Sequence, residues 1–398
     1  MRKAMIFLLL SISLLVGCAT SPVNEPVLAT EVAVIIEETI SPEIETIVME
    51  SISTPDPREV EIQAQISRMT TREKAAQLFV LALPAANKDA FVTEAQAGGY
   101  ILFAQDITSI ENTRALTAGL IAVSNIPPFI GIDEEGGVVS RLGAAGFAGY
   151  QKPASAASIG RTGDFDKAYE SACIIGAALR DIGVNLDFAP VADVLTEPSN
   201  TAIGTRAYGD DAALVSGMVS AFCRGLSEYG VLSAPKHFPG HGGTTGDSHD
   251  GYVSIPYDAA HLASVEYVPF VRAIEEGASF IMAGHIAAPN ADASGLPASL
   301  SPYFLTEVLR VDLGFEGIII TDAMNMGAIA ANYTAAEAAV LAIQAGADMI
   351  LMPEDYAAAL DGLTEAVQSG AISMGRLEAS VARVLRVKIG AGMWLPQE

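Results

Sequence analysis

Eight short, almost unbroken apolar runs constrain this chain more than any other feature: 78–83, 99–104, 129–132, 184–191, 232–235, 279–283, 317–320 and 348–352. They do not alternate apolar with polar residues. Strands covered on both faces read this way, and such strands belong to parallel sheets. Helical stretches lie between them, among them 165–182, 212–229, 256–276 and 335–346. Strand followed by helix, repeated eight times in about 340 residues, predicts an α/β chain folded as a (β/α)8 TIM-type barrel. A doubly wound open sheet is the rival fold. Its Gly-rich nucleotide loop is missing: no G-x-G-x-x-G follows the first run, and there is no P-loop.

Polar clusters follow the runs closely: Asp133-Glu134-Glu135-Gly136-Gly137, Asp193, Lys236-His237, His285 and Thr321-Asp322. In a barrel these are strand C-terminal ends, which converge on one face. The densest cluster is Lys236-His237-Phe238-Pro239-Gly240-His241-Gly242-Gly243-Thr244-Thr245-Gly246-Asp247-Ser248-His249, which holds three of the five histidines. A loop so rich in titratable groups makes sense as a reaction site on a rigid scaffold. Its glycines suggest a loop that moves.

The net charge of −25 repels phosphate backbones and argues against a nucleic-acid partner. Residues 1–18 read as a signal: Met1-Arg2-Lys3, an apolar run from Ile6 to Val16, then Gly17-Cys18. The run is short for a membrane span. It resembles a bacterial lipoprotein signal, which implies cleavage before Cys18 and lipidation there, and two acyl chains or more hold firmly. The protein is then exported and lipid-anchored to the cell envelope. Ala19 is not the Asp that favours inner-membrane retention. Residues 19–57 carry five prolines, many Glu and no Lys or Arg; they read as a flexible acidic tether, with the catalytic barrel in 58–398. Cys173 and Cys223 read as two free thiols, a disulfide remaining open. Nothing here fixes an oligomeric state.

The histidine-rich loop resembles a signature of the glycoside hydrolase family 3 β-N-acetylglucosaminidases, roughly K-H-F-P-G-H-G-x-x-x-x-D-S-H. Ile132-Asp133-Glu134-Glu135-Gly136-Gly137-Val138-Val139-Ser140-Arg141-Leu142 is similar to the family's I-D-Q-E-G-G-x-V-x-R-L, with Glu134 for Gln. Ile203-Gly204-Thr205-Arg206-Ala207-Tyr208-Gly209-Asp210-Asp211 is similar to I-G-x-R-x-F-G-D-D, with Tyr208 for Phe. The resemblance covers most of residues 60–390, and this looks like the single-domain type.

It implies a retaining mechanism. Asp322 would attack the anomeric carbon, and His249 would be the acid/base, with Asp247 fixing its tautomer. Asp133, Arg141, Arg206, Lys236 and His237 would hold the sugar, although Arg141 could instead pair with nearby acids. Asp187 and Asp193 read as structural, and His241 as a structural hydrogen bonder. His285 divides evenly between pocket and core. The substrate would be a carbohydrate bearing terminal N-acetylglucosamine, with peptidoglycan fragments as its source. No cofactor or metal is implied: His237 and His241 stand at i, i+4, but Pro239 and Gly240 prevent a helix from presenting both. A phosphorylase and a non-catalytic cell-wall-binding lipoprotein are the alternatives.

Overall fold

The computed structural model describes residues 56–247, 251 and 253–394, and contacts group Pro57–Glu398 into one compact unit. Cys18, most of the acidic segment, Ser248 and His249 lie outside the described residues. The eight expected strands are all present: β1 Phe79–Ala82, β2 Gly99–Ile101, β3 Phe129–Ile132, β4 Leu186–Asp187, β5 Leu232–Ser233, β6 Phe280–Ala283, β7 Ile318–Thr321 and β8 Ile350–Leu351. Parallel ladders join them in the order β8-β1-β2-β3-β4-β5, and β6 pairs with β7. Parallel bridges Phe238↔Ala283 and Ile320↔Met349 connect the two groups, so pairing runs round a ring.

The interior is filled with side chains. Phe129 of β3 and Phe280 of β6 meet edge to face at 5.0 Å. Gly131 is a glycine because a Cβ there would stand 2.7 Å from the Phe188 ring. Residues of β3, β6 and β7 are buried without exception, which explains the missing alternation in the sequence.

Helices follow the strands, with one departure from expectation. The helical periodicity of 59–77, within which Thr70 or Thr71 reads as a helix cap, is met by two helices, Pro57–Arg68 and Thr71–Ala76. Thr70 caps the second: its Oγ1 accepts from the Glu73 amide at 3.2 Å, and the Glu73 carboxylate accepts from the Thr70 amide at 2.7 Å, a reciprocal cap. The stretch at 256–276 is interrupted by a π turn, Leu262–Glu266. Cys173 and Cys223 are both free thiols. No helix among the described residues is long and apolar enough to cross a membrane.

Candidate active site

The polar clusters meet at the strand C-terminal ends around a cavity of about 430 Å³. Asp133, Arg141, Arg206, Lys236, His237, Asp247 and Asp322 all line it. Of the catalytic and sugar-binding residues expected from sequence, His249 alone lies outside the described residues, and Asp247, two positions before it, is half-buried.

Lys236 is the hub. It is 3% exposed, and its ammonium donates to Asp133 Oδ1 at 2.8 Å and reaches Glu135 Oε1 at 2.7 Å. Arg206 grips Glu135 with two bonds of 2.8 Å, one from Nε and one from Nη2. Arg141 donates to Asp133 Oδ2 at 3.1 Å and lies over the Phe103 ring, so it both lines the cavity and pairs with an acid. Burial alone would raise the Glu135 carboxyl, but Lys236 and Arg206 outweigh it and hold it at about 2. Two carboxylates and three cations thus fix one another. Each Asp133 oxygen keeps a free lone-pair direction for a hydroxyl.

Glu135 is the residue that sequence reasoning missed. The signal was present: Asp133 and Glu135 stand two apart where the chain leaves β3 and enters the hairpin of Glu134–Gly136 and Val139–Ser140. A period of two puts both on one face. Glu134 points the other way and is fully buried, accepting from the Leu142 amide at 2.9 Å and the Tyr150 hydroxyl at 3.0 Å. Its place is structural, in agreement with the weight put on Asp133.

Asp193 is fully buried and organises the loop after β5. Its Oδ1 accepts from the His237 and His241 amides at 3.1 and 2.7 Å, and its Oδ2 lies 2.8 Å from His237 Nδ1. Arg206 Nη2, which can only donate, lies 3.4 Å from His237 Nε2. His237 Nδ1 therefore carries the proton and donates to Asp193. Asp187 accepts from the Glu134 amide at 2.9 Å. Both aspartates are structural, as expected.

His241 bonds Thr244 through Nδ1 at 2.9 Å and also lines the cavity. Gly242 and Gly243 have a packing reason rather than only a flexible one. A Cβ on the first would fall 1.8 Å from the Val194 carbonyl oxygen, and one on the second 2.4 Å from the Tyr257 ring.

Asp322 follows β7. Its amide donates to the Ala283 carbonyl at 2.8 Å, and its Oδ1 accepts from the Ala323 amide at 2.8 Å. Burial would raise this carboxyl, but the His237 and His285 rings, the Ala323 amide and Lys236 outweigh it, so it is held below the ordinary carboxylate value. It stands ionised in the cavity. His285 is a core histidine: fully buried, its Nε2 donates to the Ala323 carbonyl at 3.0 Å and its Nδ1 lies 2.7 Å from the Ser299 hydroxyl. It braces the peptide that holds Asp322. Among the described residues no group of three or more His, Cys, Asp or Glu side chains is arranged to hold a metal ion.

The sequence profile described as the glycosyl hydrolase family 3 N terminal domain matches residues 70–387. The chain belongs to glycosyl hydrolase family 3. It is an enzyme of that family, and the seven cavity residues named above, from Asp133 to Asp322, lie within the matched span. The family 3 chain is 34% identical over 348 residues to β-hexosaminidase LpqI of Mycobacterium tuberculosis, covering 85% of this chain and 88% of that one. A solved family 3 β-N-acetylglucosaminidase from Paenibacillus sp. superposes with a TM-score of 0.79 at 37% identity, covering 83% of this chain and 64% of that one. The β-glucoside phosphorylase BglX superposes with a TM-score of 0.77 at 25% identity, covering 86% and 62%.

Proposed function

We propose that this enzyme is a retaining β-N-acetylglucosaminidase that removes N-acetylglucosamine from the non-reducing ends of glycans, peptidoglycan fragments being the expected source. One observation carries the reading: an ionised Asp322 shares a cavity with Asp247 and with the Asp133–Lys236–Glu135–Arg206 network. That combination offers a nucleophile, one member of an acid/base pair and a ring of groups suited to sugar hydroxyls. The β-hexosaminidase name of the 34% identical relative supports the substrate class.

In this mechanism Asp322 attacks the anomeric carbon as His249 gives its proton to the leaving oxygen. The glycosyl–Asp322 ester is then cleaved by a water that His249 deprotonates. Asp247 steadies the imidazolium before the first step and after the second, and fixes the tautomer of the neutral ring between them. Asp133, Arg141, Arg206, Lys236 and His237 hold the ring, and no step calls for a metal or organic cofactor. The same reading has the chain exported and anchored through a lipid on Cys18; labelling by a fatty-acid analogue that persists in Cys18→Ser would refute that part.

The second reading is a phosphorylase. It is favoured by the likeness to BglX and by a histidine acid/base, which repels an incoming phosphate less than a carboxylate does. The test is turnover of an aryl β-N-acetylglucosaminide beside the matching β-glucoside, each with and without phosphate. Release of free N-acetylglucosamine from the first alone, indifferent to phosphate, is expected. A sugar 1-phosphate formed only with phosphate would give the second reading the place of the first, and turnover of neither glycoside would end both.

A further inference from the structure

Three side chains that do not line the cavity pack against the glycines of the loop after β5. Glu266 has no solvent exposure. Its Oε1 accepts from Thr196 Oγ1 at 3.2 Å, and the Tyr257 hydroxyl donates to that same threonine oxygen at 3.0 Å. Its Oε2 has no hydrogen-bond partner and lies 2.4 Å from where a Cβ on Gly240 would stand. Gly240 has φ +135°, in the region that favours glycine. Tyr257 takes the space beside Gly243 in the same way. The turn 240–243 thus rests on a row of Glu266, Thr196 and Tyr257. Glu266 enters that row from the π turn of its helix, and such turns recur at functional sites.

The groups around it are few. Asp193 adds negative charge from the loop after β4, and on its other side it is bonded to His237 and His241. His261 belongs to the same helical stretch; its Nε2 is 3.9 Å from Oε1 and has no hydrogen-bond partner, while its ring stacks on Tyr257. Tyr267 follows next in the chain, its hydroxyl also unpartnered. The loop after β5 presents Gly240, which has no charge to offer.

We propose that Glu266 is a positioning residue: through Thr196 and Tyr257 it seats the turn at 240–243 and so sets where Asp247 stands in the cavity. The proposal rests on the role assigned to Asp247 as the partner of His249 in acid/base catalysis. Burial first, and the charge of Asp193 second, push this carboxyl up to about 8. It is therefore a neutral acid near pH 7. Ionisation places an anion beside Asp193, draws the side chain towards His261 and unseats the turn.

The test compares wild type, Glu266→Gln and Glu266→Ala on an unactivated β-N-acetylglucosaminide between pH 6 and 9. Glutamine keeps the shape of the neutral acid and cannot ionise. Glu266→Ala should lose roughly tenfold to a hundredfold in kcat with KM little changed, as misplacement of catalytic groups does, and Glu266→Gln should recover it. The ratio of wild-type to Gln kcat, in which titration of His249 cancels, should fall as pH rises through about 8. A ratio that stays flat or rises overturns the proposal, as does wild-type kcat in Glu266→Ala. A wild type inactive on every aryl glycoside would instead refute the glycosidase reading. Amide exchange at Gly240–Thr244 at pH 7 would then decide. Protection kept by Gln and lost by Ala supports the seating role, and equal protection in all three removes it.

Discussion

At the scale of single residues, the chemistry was legible where a side chain is costly to place and hidden where its work is done for another side chain. Lys236 announced itself because a lysine ending a buried strand has no packing reason. Glu135 did not, because its partners come from loops 71 and 101 positions away. Its weight is testable by pH. The folded value of about 2 lies below the ordinary 4.5. The stability it contributes is therefore complete above about pH 4.5 and is lost as pH falls towards 2. Glu135→Gln should lower Tm at pH 7 and flatten the fall of Tm in that acid window; a wild-type slope in the variant would show that the charge adds nothing. His249→Ala should lose roughly 10²- to 10⁴-fold on a poor leaving group, the usual worth of a general acid. On an activated aryl leaving group, which needs no proton, the first step should recover. Equal loss of that first step on both substrates would remove His249 from the acid's role.

At the scale of elements, all eight strands were legible because both faces of each are buried, which leaves a run of apolar residues with no polar break. The helices were legible in extent, and so was the cap at Thr70 with Glu73 in the first turn of the helix that follows. The π turn at Leu262–Glu266 leaves no mark on apolar periodicity. The glycines after β5 show the same limit: sequence reads them as flexibility, whereas Gly242 is required by the approach of the Val194 carbonyl. Gly242→Ala should therefore keep the circular dichroism of the wild type and lose roughly a hundredfold in kcat/KM, the cost of displacing a catalytic loop by about an ångström. Near-normal turnover would mean that the loop adapts.

At the scale of the whole molecule, the barrel separates what stabilises it from what reacts. The cavity lies at the C-terminal ends of the strands, and a second ionic centre lies at the opposite end. There Asp348, fully buried just before β8, accepts from Arg310 at 2.6 Å, Arg383 at 3.1 Å and Ser380 at 2.6 Å. It ties the segment Tyr303–Asp312 and the last helix, Met374–Gly390, to the sheet. Removing the one anion strands the arginines, so Asp348→Ala should cost about 3 kcal/mol in urea unfolding while kcat/KM stays near wild type. A loss of activity as large as the loss of stability would contradict that separation. The repeat of strand and helix made the fold class readable. The ionic cluster at its base was not, since the arginines on Asp348, Arg310 and Arg383, and the Ser380 hydroxyl that also bonds it lie far from it along the chain.

The central claim is that Asp322 carries the sugar between the two halves of the reaction. With His249→Ala and an activated aryl β-N-acetylglucosaminide, the first step needs no acid, but the second lacks its base, so the covalent intermediate should accumulate. Intact-mass spectrometry of that mixture, followed by peptide mapping, should find one N-acetylhexosaminyl unit esterified to Asp322. Turnover with no adduct, or an adduct on any other carboxylate, would contradict the account.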